Sequence, residues 1–343
     1  LTGVRPGRDA PVGAGLDGHR RPAADSYYGR PVVRAPSWAA RDIAGYLFLG
    51  GLAGAGSVLA AGAELTGRPG TARAMKLSSL AAVSLSAAAL VNDLGRPERF
   101  ANMLRVVKPT SPMSVGSWLL AGYGPLAGAA AVAELTGRAP RAGRAATLAA
   151  ACLGPCVATY TGVLLADTAI PAWHGARREL PYLFAGSAAA AAAGMALLAG
   201  PRAENRPAGR VAVLAVAAEL AALRSAQAGA GLVAETYRTG PAGRLLGAAG
   251  RLGMAGAAAG ALLGGRSRAV AALSGAALLA ASACTRFGIF RAGLASAADP
   301  KYTVLPQRDR LAARAGLAAQ AAAVRGLLGD GEVDGVATTN PGA

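Results

Sequence analysis

The chain has 343 residues, of which 53% are hydrophobic and 15% charged, and a formal charge of +17. A soluble domain carries about 25% charged residues, so this composition excludes a soluble protein that must wet its whole surface. The cations do not point to nucleic acid either, because arginines sit between apolar segments and no aromatic-basic interleaving of a single-strand binder occurs.

Residues 1–41 form a basic arm rich in Arg, Pro and Gly, expected to be extended or loosely ordered outside the membrane. No apolar stretch precedes Ile43, so the first spanning helix is expected to direct insertion. No charge interrupts Ile43–Ala63, Leu77–Asn92, Pro109–Ala133, Ala145–Ala166, Leu180–Pro201 or Ala269–Thr285. Most of these stretches approach or exceed the roughly 20 apolar residues that cross a bilayer. Eight spans are predicted, over 43–63, 74–92, 113–134, 145–166, 180–200, 210–234, 243–264 and 268–286. The fold class is therefore an all-α integral membrane bundle in two four-helix halves, 42–167 and 168–287. An extramembrane tail follows at 288–343, with an Arg/Ala/Leu helical pattern over 308–328.

The first helix contains Gly50, Gly51 and Gly54 at small-xxx-small spacing, which allows close backbone approach. That spacing serves either a flat ligand or ordinary helix packing. Helices one and three end on nearly the same hexapeptide, Ala63-Glu64-Leu65-Thr66-Gly67-Arg68 and Ala133-Glu134-Leu135-Thr136-Gly137-Arg138, as an internally repeated bundle would. Cys152 and Cys156 are four apart on one helix face and read as small residues filling a helix interface.

Polar groups are costly in hydrocarbon, so their positions carry information. Antiparallel threading brings Asp42, Asn92, Asp93, Ser111, Ser114, Thr159, Tyr160, Thr161 and Asp167 to one end of the first four helices. This is the end that also carries both termini. Tyr160 lies seven residues before Asp167, about 10 Å along the axis, a depth at which a lipid-soluble headgroup could rest. A phenol can donate to a carbonyl oxygen and a nearby carboxylate can exchange the proton, the minimum equipment of a quinone site. In the second half Glu219, Arg224 and Gln227 fall inside helix six and Arg251 inside helix seven. They read as a proton route or as a buried structural pair.

Histidine occurs only at His19 and His174, outside the predicted spans, so no haem is expected. Three cysteines are too few for an iron-sulfur cluster. No phosphate-binding glycine loop is present.

The segment Asp93-Leu94-Gly95-Arg96-Pro97-Glu98-Arg99-Phe100 with Asn102, Met103 and Leu104, continued by Lys108-Pro109-Thr110-Ser111-Pro112-Met113-Ser114-Val115-Gly116-Ser117-Trp118, resembles the second-to-third loop of the NrfD/polysulfide reductase membrane-subunit family. The helix-one run Tyr46 to Gly56, Tyr160-Thr161-Gly162-Val163-Leu164-Leu165, Pro171, Trp173 and Leu180-Pro181 resemble it too. The resemblance extends over about residues 36–308. It implies a haem-free subunit of eight to ten helices that exchanges electrons between menaquinone or menaquinol and a four-cluster iron-sulfur partner, which connects to a molybdopterin catalytic subunit. By position it implies a quinone pocket built from Asp42, Gly50, Gly51, Gly54, Asn92, Asp93 and Tyr160. Where that family's best characterised pocket has Asn and His near the start of helix one, this sequence has Ser37, Trp38 and Asp42.

Arg and Lys are more numerous on the terminal side, so the positive-inside rule expects that side in the cytoplasm and the protein in the plasma membrane. The same side offers Arg96, Arg99, Arg105, Lys108, His174, Arg286 and Lys301 as a docking surface for the iron-sulfur partner. A proton-coupled transporter and a purely structural anchor are the competing readings.

Overall fold

In the computed structural model, residues 32, 33, 36, 38, 40–93 and 102–328 are described, and among them no strand occurs. Eight helices are long and apolar enough to cross a membrane. They are α1 (Ala40–Leu65), α2 (Pro69–Asp93), α3 (Pro112–Thr136), α4 (Pro140–Ala166), α5 (Leu180–Ala199), α6 (Asn205–Gly229), α7 (Gly240–Leu263) and α8 (Arg268–Ala298). A further helix, α9 (Lys301–Leu328), follows. The chain is a multi-pass membrane protein.

Several helices start earlier than charge and hydropathy predict, because proline sets their first turns. Pro69, Pro112 and Pro140 open α2, α3 and α4, where a missing amide costs nothing and the fixed φ is already helical. Ser111 and Ser267 cap α3 and α8, each hydroxyl accepting from a backbone amide three residues on. The sixth helix ends at Gly229 rather than 234, because Gly231 takes a positive φ of 52° and a short 3-10 turn replaces the last helical turn. The largest departure is α8. Its 31 residues span about 46 Å, well beyond a hydrocarbon core of about 30 Å, and the helix emerges on the terminal side. The expected tail boundary at 287/288 therefore falls inside a helix.

Helix α1 packs on α2, α4, α5 and α8, and α5 packs on α1, α4, α6 and α8. These two helices are the centre of the bundle, and both are built largely of Ala and Gly. Without water to drive association, close van der Waals contact between small residues has to hold them together. Gly54 shows the constraint. A Cβ there would fall on the Gly154 carbonyl oxygen and within 3.1 Å of the Ala158 amide nitrogen. Gly54→Val is therefore expected to separate α1 from α4 and to cost about 1–3 kcal/mol or more. The check is thermal unfolding in detergent. Gly62→Val is the control, since a Cβ at Gly62 meets nothing within 4 Å.

The two hexapeptides close their helices alike. Gly67 and Gly137 both adopt the left-handed conformation, at φ 70° and 67°. Thr66 Oγ1 donates to the Gly62 carbonyl and Thr136 Oγ1 to the Val132 carbonyl, at 2.6 and 2.8 Å. Glu64 and Glu134 then converge on one cation, Lys76 of α2, at 2.7 and 2.9 Å. By contrast, Cys152 and Cys156 do not fill an interface as expected. Both are exposed on the outer side of α4.

Candidate functional site

At the terminal end of the first half a cavity of about 100 Å³ opens between α1, α2, α3 and α4. Tyr46 lies six residues into α1 and Tyr160 six residues before the end of α4, so both stand about 9 Å from that surface. Their hydroxyls hydrogen-bond to each other, and their rings meet edge to face at 6.5 Å. Asp93, the last residue of α2, lines the same cavity nearer the surface. The remaining wall is mainly apolar, with Ile43, Leu90, Met113 and Leu164 among its residues.

The local sequence explains the arrangement. Gly116 leaves room for the Tyr160 ring, since a Cβ there would come within 2.9 Å of Cδ2. Ser114 ties the preceding segment to α3, accepting from the Lys108 amide at 3.0 Å and donating to the Val106 carbonyl at 3.1 Å. Trp38 lines the cavity and stacks at 6.0 Å on Trp173. Trp173 is fully buried and donates to the Ile289 carbonyl at 2.9 Å. The Tyr237 hydroxyl holds the same segment through the Ala172 carbonyl at 2.5 Å. The α4–α5 connection thus backs Trp38, one wall of the cavity, without lining it.

The structure brings some of the expected residues together and separates others. Tyr160 and Asp93 share the cavity. Asp42 and Asn92, each next in sequence to a lining residue, do not line it, and the Asn92 amide donates to the Asp42 carboxylate at 3.0 Å. The three glycines do not line it, and their role is corrected to packing. Gly50 faces Ser86, Gly51 faces Arg286 and Ala188, and Gly54 faces α4. Sequence reasoning missed Tyr46 as a functional candidate, although it stands inside the quoted helix-one run. The available signal was depth, because Tyr46 and Tyr160 sit equally far from the same-side ends of two antiparallel helices.

The second-half cluster also needs correction. Glu219 is buried, and its Oε1 accepts from Thr285 Oγ1 at 2.5 Å. Arg224 and Arg251 are exposed on the outer surface, and Gln227 is half-buried. They cannot form one interior route with Glu219. The interior cation is Arg286, which is 0% exposed, donates to the Phe184 carbonyl at 2.8 Å and lies 3.8 Å over the Phe184 ring. Its charge is within electrostatic reach of Glu219. Arg286 was expected on the docking surface, and a fully buried guanidinium cannot serve there.

Of the other docking candidates, Arg105, Lys108 and His174 are exposed on the terminal side. Arg96 and Arg99 lie outside the described residues. Lys301 is half-buried and bound within the chain to Glu235 at 3.0 Å and Asp299 at 3.8 Å. The hydrogen bond to Glu235 pushes the Lys301 ammonium above the usual lysine range, so it holds α9 to the 231–238 segment as a cation at physiological pH. Its charge is largely answered inside the chain.

A family model described as "Polysulphide reductase, NrfD" matches residues 36–226. The match contains α1 to α5, most of α6 and the whole cavity. No curated protein matches the chain.

Proposed function

The chain belongs to the NrfD polysulphide reductase family, whose members are membrane subunits of quinone-linked oxidoreductase complexes, and on that premise we propose that it is the quinone-reactive electron-transfer subunit of such a complex. Menaquinone or menaquinol occupies the terminal-end cavity and exchanges electrons with a four-cluster iron-sulfur partner, which relays them to or from a molybdopterin catalytic subunit. The observation that carries this reading is the meeting of Tyr46, Tyr160 and Asp93 around one mainly apolar cavity. A phenol pair can hydrogen-bond a quinone carbonyl and pass on its proton, and a carboxylate near water can exchange that proton. The apolar wall suits the ring, and a depth of about 9 Å lets an isoprenoid tail stay in lipid. The test is a menaquinol-analogue and dye assay on the purified complex. Turnover that depends on the cavity residues supports the reading, and a complex inert to quinol and quinone overturns it.

The iron-sulfur partner docks on the terminal face. Electron transfer needs the quinone and the first cluster to be neighbours, and the cavity lies at this end. The opposite face has only turns at 66–68, 137–139, 200–204 and 264–267, too little for a standard interface of roughly 800 Å² per partner. Exposed Arg105, Lys108, Arg177 and Arg178 would steer an acidic protein. The double reversal Arg105→Glu/Lys108→Glu is expected to weaken association about tenfold at low salt, with the difference shrinking as salt rises. Titration of the purified partner onto the chain in nanodiscs measures this. Unchanged affinity at low salt would move the docking site elsewhere. The excess of Arg and Lys on this face supports a cytoplasmic orientation in the plasma membrane.

A further inference from the structure

Helix α7 packs mainly on α6 and α8, and its outer face is divided in two. In the half toward the termini the exposed stripe is Arg244, Gly247 and Arg251, at the three- and four-residue spacing of one helix face. Beyond Arg251 the same stripe turns apolar, with Met254 51% and Leu262 73% exposed. An open groove of about 470 Å³ runs over the first part. It is lined by Arg244 and Arg251, by Arg238 from the segment before the helix, and by Gly240, Gly243 and Gly247. An added Cβ at Gly247 would meet nothing within 4 Å, so the floor is open to an incoming group. No carboxylate lines the groove, and among the described residues none of its three arginines forms an ion pair.

The depth of Arg251 demands an anion. It stands 11 residues after Gly240 and 12 before Leu263, about 16 Å and 18 Å from the two ends of the helix. That is the middle of the span, where a guanidinium facing hydrocarbon is costly unless it is answered. Helical side chains lean toward the N-terminus, so Arg244 and Arg251 both reach toward the terminal surface, where Arg238 lies. The three cations thus form a ladder from the headgroup layer into the span. A second copy of the chain does not answer them, because a two-fold contact through this face sets arginine against arginine. An acidic membrane helix would have to offer carboxylates at three depths. A phospholipid needs no such match. Its phosphate already resides at the surface end of the ladder, and guanidinium groups bind phosphate through paired hydrogen bonds. Its acyl chain has the apolar stripe beyond Arg251 to lie on.

We propose that this groove is a binding site for an anionic phospholipid of the terminal leaflet. The phosphodiester sits between Arg238 and Arg244, Arg251 reaches up to it over Gly247, and one acyl chain follows Met254 and Leu262 toward the opposite face. The lipid undergoes no reaction. It neutralises the patch and covers the outer side of α7. Arg238 ends the segment whose Glu235 binds Lys301 at 3.0 Å, so the lipid also ties that segment to α7.

The test reads lipid retention by native mass spectrometry, on the full chain with any subunits that co-purify. The protein is first equilibrated with vesicles of equal phosphatidylglycerol and phosphatidylcholine. The parent is expected to retain phosphatidylglycerol in excess. Arg244→Gln/Arg251→Gln should lower that retention about tenfold or more and keep the fold, because both side chains are exposed. Arg206→Gln/Arg210→Gln removes the same charge from exposed positions near the other end of α6 and should leave retention unchanged. A phosphatidylglycerol with a photoreactive group on its acyl chain should label residues 251–263. Equal retention of both lipids by the parent, or equal effects of the two double variants, overturns the site. Label confined to other helices, or residues 244–251 cross-linked to a membrane helix of another subunit, overturns it as well.

Discussion

Tyr160→Phe is expected to lower the rate of quinol turnover about a hundredfold, while the complex assembles and expresses as the parent does. The substitution keeps the ring that Gly116 accommodates and removes only the hydroxyl bonded to Tyr46. If that hydroxyl binds and protonates the quinone oxygen in the transition state, kcat should fall far more than KM rises. Tyr46→Phe should act in the same direction, and the double variant should cost less than the two single losses combined, because the two phenols form one relay. Steady-state assays of the purified complex decide the matter. A Tyr160→Phe rate within about twofold of the parent, against the hundredfold loss expected of a proton-transfer group, would remove the phenol from the chemistry and leave the cavity as packing.

The second large effect lies in the other half and concerns stability. Arg286→Leu is expected to destabilise the bundle by about 3–5 kcal/mol, the usual result of removing one member of a buried charged set. The Phe184 carbonyl loses its donor, and Glu219 keeps the Thr285 and Ser187 hydroxyls. Glu219→Gln added to Arg286→Leu should recover much of the loss, because it also removes the buried acid. Arg224→Leu is the contrast, since that side chain is exposed and its loss should change stability by no more than about 0.5 kcal/mol. Folded yield and thermal unfolding in detergent separate these outcomes. An Arg286→Leu protein as stable as the parent would show that Glu219 is satisfied without the cation.

Six of the eight spans were legible because bilayer thickness writes itself into the sequence as charge-free stretches, whereas the sixth and seventh carry Glu219, Arg224 and Arg251. The end of α8 was not, because Arg286 resembles a membrane boundary unless its partners are known. Phe184, Gly51 and Glu219 lie on three other helices, and no local pattern announces such a meeting. The same reason separates the two glycine readings. Small-residue spacing in α1 signals close approach, but only the position of Gly154, 100 residues further along the chain, makes the approaching object another helix rather than a ligand. Tyr160 and Asp93 could be placed together from helix direction and depth alone. Tyr46 on α1 obeyed the same rule, and needed only to be counted from the same end of the bundle.

The central place of α1 bears on how the protein is made. Helices leave the ribosome in chain order, so the helix destined for the middle of the bundle enters the bilayer before any of its neighbours. It does so without a charged residue between Ile43 and Ala63, and can wait in lipid alone. Glu219 arrives much later, on α6, and its counter-charge arrives last of all, on α8. Until that final insertion an acid lies in the bundle without its cation, and a nascent chain that stops short stays in that condition. The guanidinium that completes the interior is therefore the last part of it to be made, and a chain that stops before α8 lacks it.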